Sequence, residues 1–322
     1  MKKESGAVSR SPYAVVVGAV NMDIGGIANA PLVDGDSNPG RVRMSLGGVG
    51  RNIAHNMALL GVDTRMITAL GEDANARTIR DSCAALGIDL SASVTVTGAA
   101  TSTYLYIAGL TGDMALALSD MEIYAALTPK VLTARETVLR DAALVVVDAN
   151  IPAETIAWLG SHCAVPIFAD PVSTVKAEKL RPVLGKLHTL KPNILEAEAL
   201  SGVTITDEES LYAAADALLA TGLKRVFISL GAEGVLAADH TAKVRLDRLP
   251  GPVVNTTGGG DAFMAGLVWA ALAGADLRDS ALAGLAAASV AVEGRDTINP
   301  DMSEILLKAR MGQYKSSFLE EA

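Results

Sequence analysis

The sequence predicts an α/β fold: a central, mostly parallel sheet with flanking helices, carrying a small β-sheet lid. Short β-branched runs alternate along the chain with longer Ala- and Leu-rich stretches, the pattern of a parallel sheet covered on both faces. Half of the 322 residues are apolar, enough to bury the core of one large α/β domain or of one domain with a small appendage. Two stretches break the alternation, and these predict the lid.

Taken in order, the strands are expected at Ala14–Val17, Thr64–Leu70, Leu144–Val147, Pro166–Ala169 and Arg225–Leu230. Helical periodicity places helices at Val49–Leu60, Asn75–Leu86, Ala153–His162, Ile194–Ser201, Asp207–Thr221, Gly260–Leu272, Ser280–Val292 and Ser303–Tyr314. The interruptions, about 24–46 and 91–118, hold alternating segments such as Ser93–Thr97 and Thr103–Ile107 that read as antiparallel strands. No Pro/Ser linker, low-complexity tract or internal repeat divides the chain. Residues 13–314 are therefore expected to form one domain, with the lid as an elaboration and residues 1–12 as a polar, basic tail.

Composition removes several classes of function. The net charge of −9, with 27 basic residues scattered along the chain, argues against nucleic acid as the main partner and for a small molecule. Cys83 and Cys163 show no spacing of a metal site or disulfide framework, which fits a reducing cytoplasm. The apolar run Tyr13–Val20 is too short to span a bilayer and lacks a signal-peptide cleavage pattern, so neither export nor a membrane partner is expected.

The chemistry concentrates in Asn255-Thr-Thr-Gly-Gly-Gly-Asp261-Ala-Phe-Met-Ala-Gly266, where a strand-like Val253-Val254 feeds a glycine turn that opens an apolar helix. Three glycines, Gly258, Gly259 and Gly260, let backbone amides converge at a helix N-terminus, an arrangement that binds phosphate oxygens. Asp261 stands at the mouth of that anion site, where a carboxylate is suited to accept the proton of an attacking hydroxyl. A lone GGGD would read better as a glycine loop with an Asp helix cap; the full string favours phosphoryl transfer.

A second cluster, Gly47-Gly48-Val49-Gly50-Arg51-Asn52, precedes a helix. Its glycines would let a ligand approach the backbone, and Asn52 offers a donor and an acceptor to sugar hydroxyls. Neither a dinucleotide-binding GxGxxG nor a Walker P-loop occurs. Between the clusters, Lys191-Pro-Asn193-Ile-Leu-Glu196 puts Asn193 and Glu196 on one face at a helix start. They could organise the water shell of a phosphate-bound Mg²⁺, or be an ordinary capping pair; spacing alone does not separate the two.

Together these segments resemble the PfkB/ribokinase family of carbohydrate and nucleoside kinases, from about Tyr13 to the C-terminal helix. Gly47–Asn52 looks like that family's first signature, Asn255–Gly266 like its second, and Asn193 with Glu196 like its NxxE element. The resemblance implies a ribokinase-like fold, ATP and Mg²⁺, Asp261 as the base, and Gly258–Gly260 as the anion hole. It further implies nucleotide contacts from Asn193, Ser229, Gly231, Gly234 and Thr257, and sugar contacts from Asn21, Asp23, Gly47, Gly48 and Asn52. Asp23 could equally cap a loop after the first strand.

Within the family the likeness is strongest to the branch that phosphorylates the 5′-hydroxyl of the nucleoside pseudouridine. It rests on Ala19-Val-Asn21-Met-Asp23, Asp36-Ser37-Asn38-Pro39-Gly40, Asp170-Pro-Val-Ser173 with Lys176, and His188–Asn193. Ser37, Asn38 and Lys176 thereby become candidates for base contact or lid closure, although Ser37–Gly40 is also simply a good turn and Lys176 a plausible surface charge. Two positions depart from the common pattern. Gly259 replaces an Ala without harm to the turn, whereas Asn255 replaces an Asp that helps form a monovalent-cation site, leaving K⁺ activation open. A ribokinase-like or other nucleoside kinase, or a catalytically silent binding protein, would share much of this pattern. A β-branched lid edge would also offer a second copy of the chain a pairing surface for a homodimer.

Overall fold

The computed structural model describes residues 12–111 and 113–320. The expected N-terminal tail, apart from Pro12, lies outside the described residues. Along the chain run β1 (Tyr13–Val17), β2 (Asn21–Ala28), β3 (Gly40–Gly47), α1 (Val49–Leu59), β4 (Asp63–Ile67), β5 (Ala69–Leu70), α2 (Ala74–Ala85) and β6 (Val94–Thr95). Then come β7 (Thr103–Ala108), β8 (Met114–Asp120), α3 (Pro129–Thr133), α4 (Glu136–Arg140), β9 (Leu144–Asp148), α5 (Ala153–His162), β10 (Ile167–Asp170) and α6 (Thr174–Ala177). The remainder is β11 (Thr189–Leu190), α7 (Ile194–Ser201), α8 (Glu208–Ala220), β12 (Arg225–Ser229), β13 (Val235–Asp239), β14 (Lys243–Leu246), α9 (Gly259–Leu272), α10 (Leu277–Glu293) and α11 (Glu304–Glu320).

The main sheet has eight strands in the order β14-β13-β12-β11-β10-β9-β1-β4. From β12 to β4 every pairing is parallel, while β13 and β14 are antiparallel. The β-branched runs form its centre because both faces are covered. Val15, Val17, Val145 and Val147 pack with Ile156 and Leu159 of α5 and Leu211 and Leu218 of α8. The alternate residues Ala14, Val16, Leu144 and Val146 pack on the other side with Ile53 and Met57 of α1 and with the apolar faces of α9 and α10. Period-two alternation thus feeds two separate cores.

A second sheet of four strands, β3-β2-β7-β8, stands apart. Its β2–β3 and β7–β8 pairs are antiparallel, but the central β2–β7 pair is parallel, a correction to the all-antiparallel expectation. The sheet also begins earlier than expected, at Asn21, so Asn21 and Asp23 are part of it. Ser93–Thr97 does not join it: β6 pairs with β5 in a two-stranded sheet of its own, made when the expected strand Thr64–Leu70 breaks at Thr68. Thr68 breaks the run because its amide turns to Ser93 Oγ, 3.2 Å away.

Two further corrections concern the C-terminal half. Val253-Val254 is not a strand; the Val254 amide donates to the Val292 carbonyl on α10, and both valines remain exposed. The hairpin β13–β14 is an addition that the β-branched pattern did not mark. Among the described residues no helix is long and apolar enough to cross a membrane.

Candidate active site

The parallel strands β1, β9, β10, β11 and β12 end on one edge of the main sheet, where ligands of open α/β sheets collect. Asp148, Asp170 and Lys191 stand at or just past the ends of β9, β10 and β11, each following buried apolar residues. All three are themselves buried. Lys191 Nζ lies 3.1 Å from Asp170 Oδ2. Burial alone would lower the Lys191 ammonium, but Asp170 and Glu196 outweigh it and hold it above its ordinary value.

Opposite them is the glycine turn. Gly258 is left-handed at φ 84°, and a Cβ there would come 2.1 Å from the Thr297 carbonyl oxygen, so no other residue fits. Helix α9 starts at once, which leaves the amides of Gly260 and Asp261 in its first turn without intrahelical acceptors. A Cβ on Gly260 would lie 3.4 Å from Lys191 Nζ, placing the ammonium beside the turn. The partly exposed Asp261 accepts a hydrogen bond from Asn52 Nδ2 at 3.0 Å. Burial in the cleft, reinforced by the Asp170 charge and opposed by Asn52 and Lys191, pushes the Asp261 carboxyl up to about 7.

The glycine cluster before α1 is used differently than expected. A Cβ on Gly47 would meet Asp23 Oδ2 at 1.9 Å and one on Gly50 would meet Asp148 Oδ2 at 2.8 Å. These glycines make room for the protein's own carboxylates, which are part of the site, and not only for a ligand. Asp148 is fully buried, accepts from the Ala19 and Asn150 amides at 2.7 and 2.8 Å, and is raised by burial. Asp23 is half-buried within β2, not at the end of the first strand, and takes a 2.9 Å bond from Asn21 Nδ2. Burial raises its carboxyl against the pull of Asn21 and Arg51. The buried oxygens Asn21 Oδ1 and Asn52 Oδ1 have no hydrogen-bond partner among the described residues.

Ser229, Gly231, Gly234, Thr256, Gly259 and Gly260 line a cavity of about 340 Å³ closed by Val253, Leu285 and Val292. The expected nucleotide contacts therefore converge, except that Thr256 lines the cavity. Thr257 instead is exposed and bonds its amide to Asn255 Oδ1 at 3.0 Å. Asn193 bridges to Ser229 at the rim. Asn193 and Glu196 form a reciprocal cap: Asn193 Oδ1 accepts from the Glu196 amide and Glu196 Oε2 from the Asn193 amide, both at 2.9 Å. That leaves Glu196 Oε1 for other work. Asn255 Nδ2 donates to the Arg295 carbonyl at 3.1 Å, a bond that an ionised Asp there could not donate.

Of the three candidates for base contact or lid closure, two lie on the loop between β2 and β3 and the third on α6. Asn38 spends its side chain on its own loop, donating to the Val33 and Asp36 carbonyls at 3.0 Å and accepting from the Val33 amide at 2.8 Å. Ser37 is exposed beside it. This loop borders a cavity against Ile24, Val42 and Leu105, the face of the small sheet opposite Asp23. Lys176 is half-buried at the main-sheet edge, with Nζ 2.6 Å from Asn150 Oδ1 and 3.9 Å from Met121 Sδ. Sequence reasoning missed Asp148, and missed Lys191 with Asp170 as a charge pair. The available signal for the two aspartates was a charge that closes an otherwise apolar strand.

Residues 11–304 match the pfkB family carbohydrate kinases. The chain belongs to this family. It is 37% identical over 293 residues to the pseudouridine kinase of Escherichia coli K12, spanning 90% of this chain and 94% of that protein. It is equally identical, over 298 residues, to YeiI of the same organism, described as an uncharacterized sugar kinase, spanning 92% and 82%. Among solved structures, a putative sugar kinase from Clostridium perfringens superposes with a TM-score of 0.85 at 32% identity, covering 94% of this chain and 96% of that one. The ribokinase-like α/β fold, with its separate small sheet, and kinase activity on a sugar or nucleoside follow from this membership.

Proposed function

We propose that this pfkB family kinase transfers the γ-phosphoryl group of ATP to the 5′-hydroxyl of pseudouridine. The observation that carries the chemistry is the Asp261 carboxylate, fixed by Asn52 at the first turn of α9 and pushed up to about 7. A base with that affinity takes a proton near neutral pH without holding it too tightly. Asp261 accepts the hydroxyl proton as the oxygen attacks, and the amides of Gly260 and Asp261 meet the charge of the transferred group. Lys191, beside Gly260, adds a fixed positive charge. Asp23, Asn21 and Asn52 hold the ribose hydroxyls.

No group of three or more metal-ligating side chains stands close enough among the described residues to hold an ion directly. The free oxygen of Glu196 fits a Mg²⁺ that arrives on the nucleotide and is reached through water, while Asn193, spent on the cap, holds Glu196 in place. Bound there, Mg²⁺ would neutralise phosphate charge. The nucleoside reading rests on the similarity to the Escherichia coli pseudouridine kinase, and two free thiols suit a cytoplasmic setting. The equal identity to YeiI favours one other reading, a sugar acceptor.

A panel of pseudouridine, uridine, ribose and fructose with ATP and Mg²⁺ separates them. Pseudouridine and uridine share their ribose, so discrimination falls to the ring N–H that only pseudouridine carries at that edge. A site that meets such a donor discriminates by ~10⁴ or more, and a shape-selective pocket by ~10². The kcat/KM ratio is expected between those limits. Equal kcat/KM for uridine, or a preference for ribose, would replace this substrate.

A further inference from the structure

Val253, Leu285, Ala288 and Val292 give the nucleotide cavity an apolar wall that reaches the glycine turn, where a Cβ on Gly259 would lie 3.2 Å from Val292 Cγ1. With phosphates at the turn, the base of the nucleotide lies against the rest of that wall. The polar side chains that border the cavity are largely committed to the protein's own backbone. Ser289 Oγ donates to the Ala286 carbonyl at 2.8 Å, and Ser229 Oγ to the Pro192 carbonyl at 3.3 Å. Arg248 is tethered through Nη1 to the Gly251 carbonyl at 3.3 Å. Its remaining nitrogens are donors only, and every nucleobase offers acceptors, so they do not tell one base from another. Thr256 belongs to the glycine turn, where its carbonyl accepts from the Gly259 amide at 3.3 Å. Val253, half exposed at 50%, is instead a surface that a flat ring of any identity would cover.

We propose that the phosphoryl-donor site is selective for a nucleoside triphosphate as a class and not for adenine, so that GTP and other nucleoside triphosphates serve alongside ATP. This rests on the kinase reading above and goes beyond it by assigning the donor. Strong base selectivity requires buried polar groups that a wrong base leaves unpaired, and an apolar slot gives only the modest discrimination of shape and area. Purines fill the slot alike; pyrimidines bury less apolar surface and bind more weakly.

Initial rates with saturating pseudouridine, or with whichever acceptor the panel identifies, are measured for ATP, GTP, ITP, CTP and UTP. The expected kcat/KM values for GTP and ITP lie within about tenfold of ATP, and those for CTP and UTP within about 10². Ala288→Phe, which adds bulk to the apolar wall, is expected to raise KM for ATP and GTP by the same factor, about tenfold or more, while KM for the acceptor stays put. A preference for ATP over GTP of about 10³ or more would overturn the inference while leaving a kinase. So would an Ala288→Phe enzyme in which neither donor's KM moves. Failure of every donor with every acceptor would remove the kinase reading, and the inference with it.

Discussion

Asp261 holds a carboxylate in a cleft that disfavours its charge, the circumstance that would suit it to the proposed role of base. With its folded affinity raised to about 7, the active deprotonated form grows as pH rises, so kcat/KM is expected to climb through about pH 7 and then level. The sign of the stability effect follows. A raised folded pKa stabilises the fold fully below the unfolded value, and that contribution is lost as pH rises through about 7. Asp261→Asn removes the penalty while keeping the bond from Asn52 Nδ2. It is therefore expected to lower kcat by at least ~10², the scale of general-base assistance. It should also raise the melting temperature at pH 8 but not at pH 4. Turnover and thermal melts on the same two proteins check both; near-wild-type turnover would remove Asp261 from the mechanism. The place of Asp261, at a helix start behind three glycines, was legible from the full string Asn255–Gly266. Asp148 was not, since only the fold brings Ala19, Gly50 and β9 together around it.

At the scale of elements, the start of α7 is a structural cap that leaves one carboxylate oxygen over. The reciprocal cap uses Asn193 Oδ1 and Glu196 Oε2 to satisfy two amides of the helix start, as the bland reading of the spacing predicted. Buried Glu196 is raised by desolvation, which the Asn193 amide opposes. Glu196→Gln keeps an acceptor for that amide and loses only the charge, so the helix should survive. The variant is expected to need a several-fold higher Mg²⁺ concentration for half-maximal rate, with a melting temperature near wild type. Rates measured across a Mg²⁺ titration check this, and full activity of the wild type in excess EDTA would rule out the metal role. Elements differed in legibility for physical reasons. The strands β1 and β9 were plain because burial on both faces demands continuous apolar runs. Val253-Val254 misled because β propensity does not supply a partner strand, and here the neighbouring backbone belongs to a helix. The hairpin β13–β14 was missed because Val235–Asp239 contains two alanines and Lys243–Leu246 is half charged, which leaves little β pattern to read.

At the scale of the whole molecule, the small sheet presents two unlike faces, and the sequence showed its existence without showing this division. Pairing puts Ser45, Asp23, Tyr104 and Ser119 in one row, and Arg43, Gly25, Tyr106 and Ala117 in the next, on one face. That face looks toward the body, where Arg43 pairs with Asp296 at 3.7 Å. The opposite face carries Met44, Ile24, Leu105 and Leu118 across all four strands, then Val42, Gly26, Ile107 and Leu116. Val42 is 73% exposed, Met44 60%, Leu118 62% and Leu116 55%, so this is a contiguous apolar surface left to water. A single chain gains nothing from it. A second copy lying face to face on it would bury this surface, an alternative to the edge pairing that the β-branched pattern suggests. A two-fold arrangement brings each residue near the axis against its own surroundings twice, so one new charge is buried twice over. Leu118→Glu is thus expected to weaken self-association by about 10² or more, a loss of ~3 kcal/mol or greater. Sedimentation equilibrium at micromolar concentration should show a dimer for the wild type and a monomer for the variant. A wild type that sediments as a monomer throughout that range would mean that this face serves something other than a second copy.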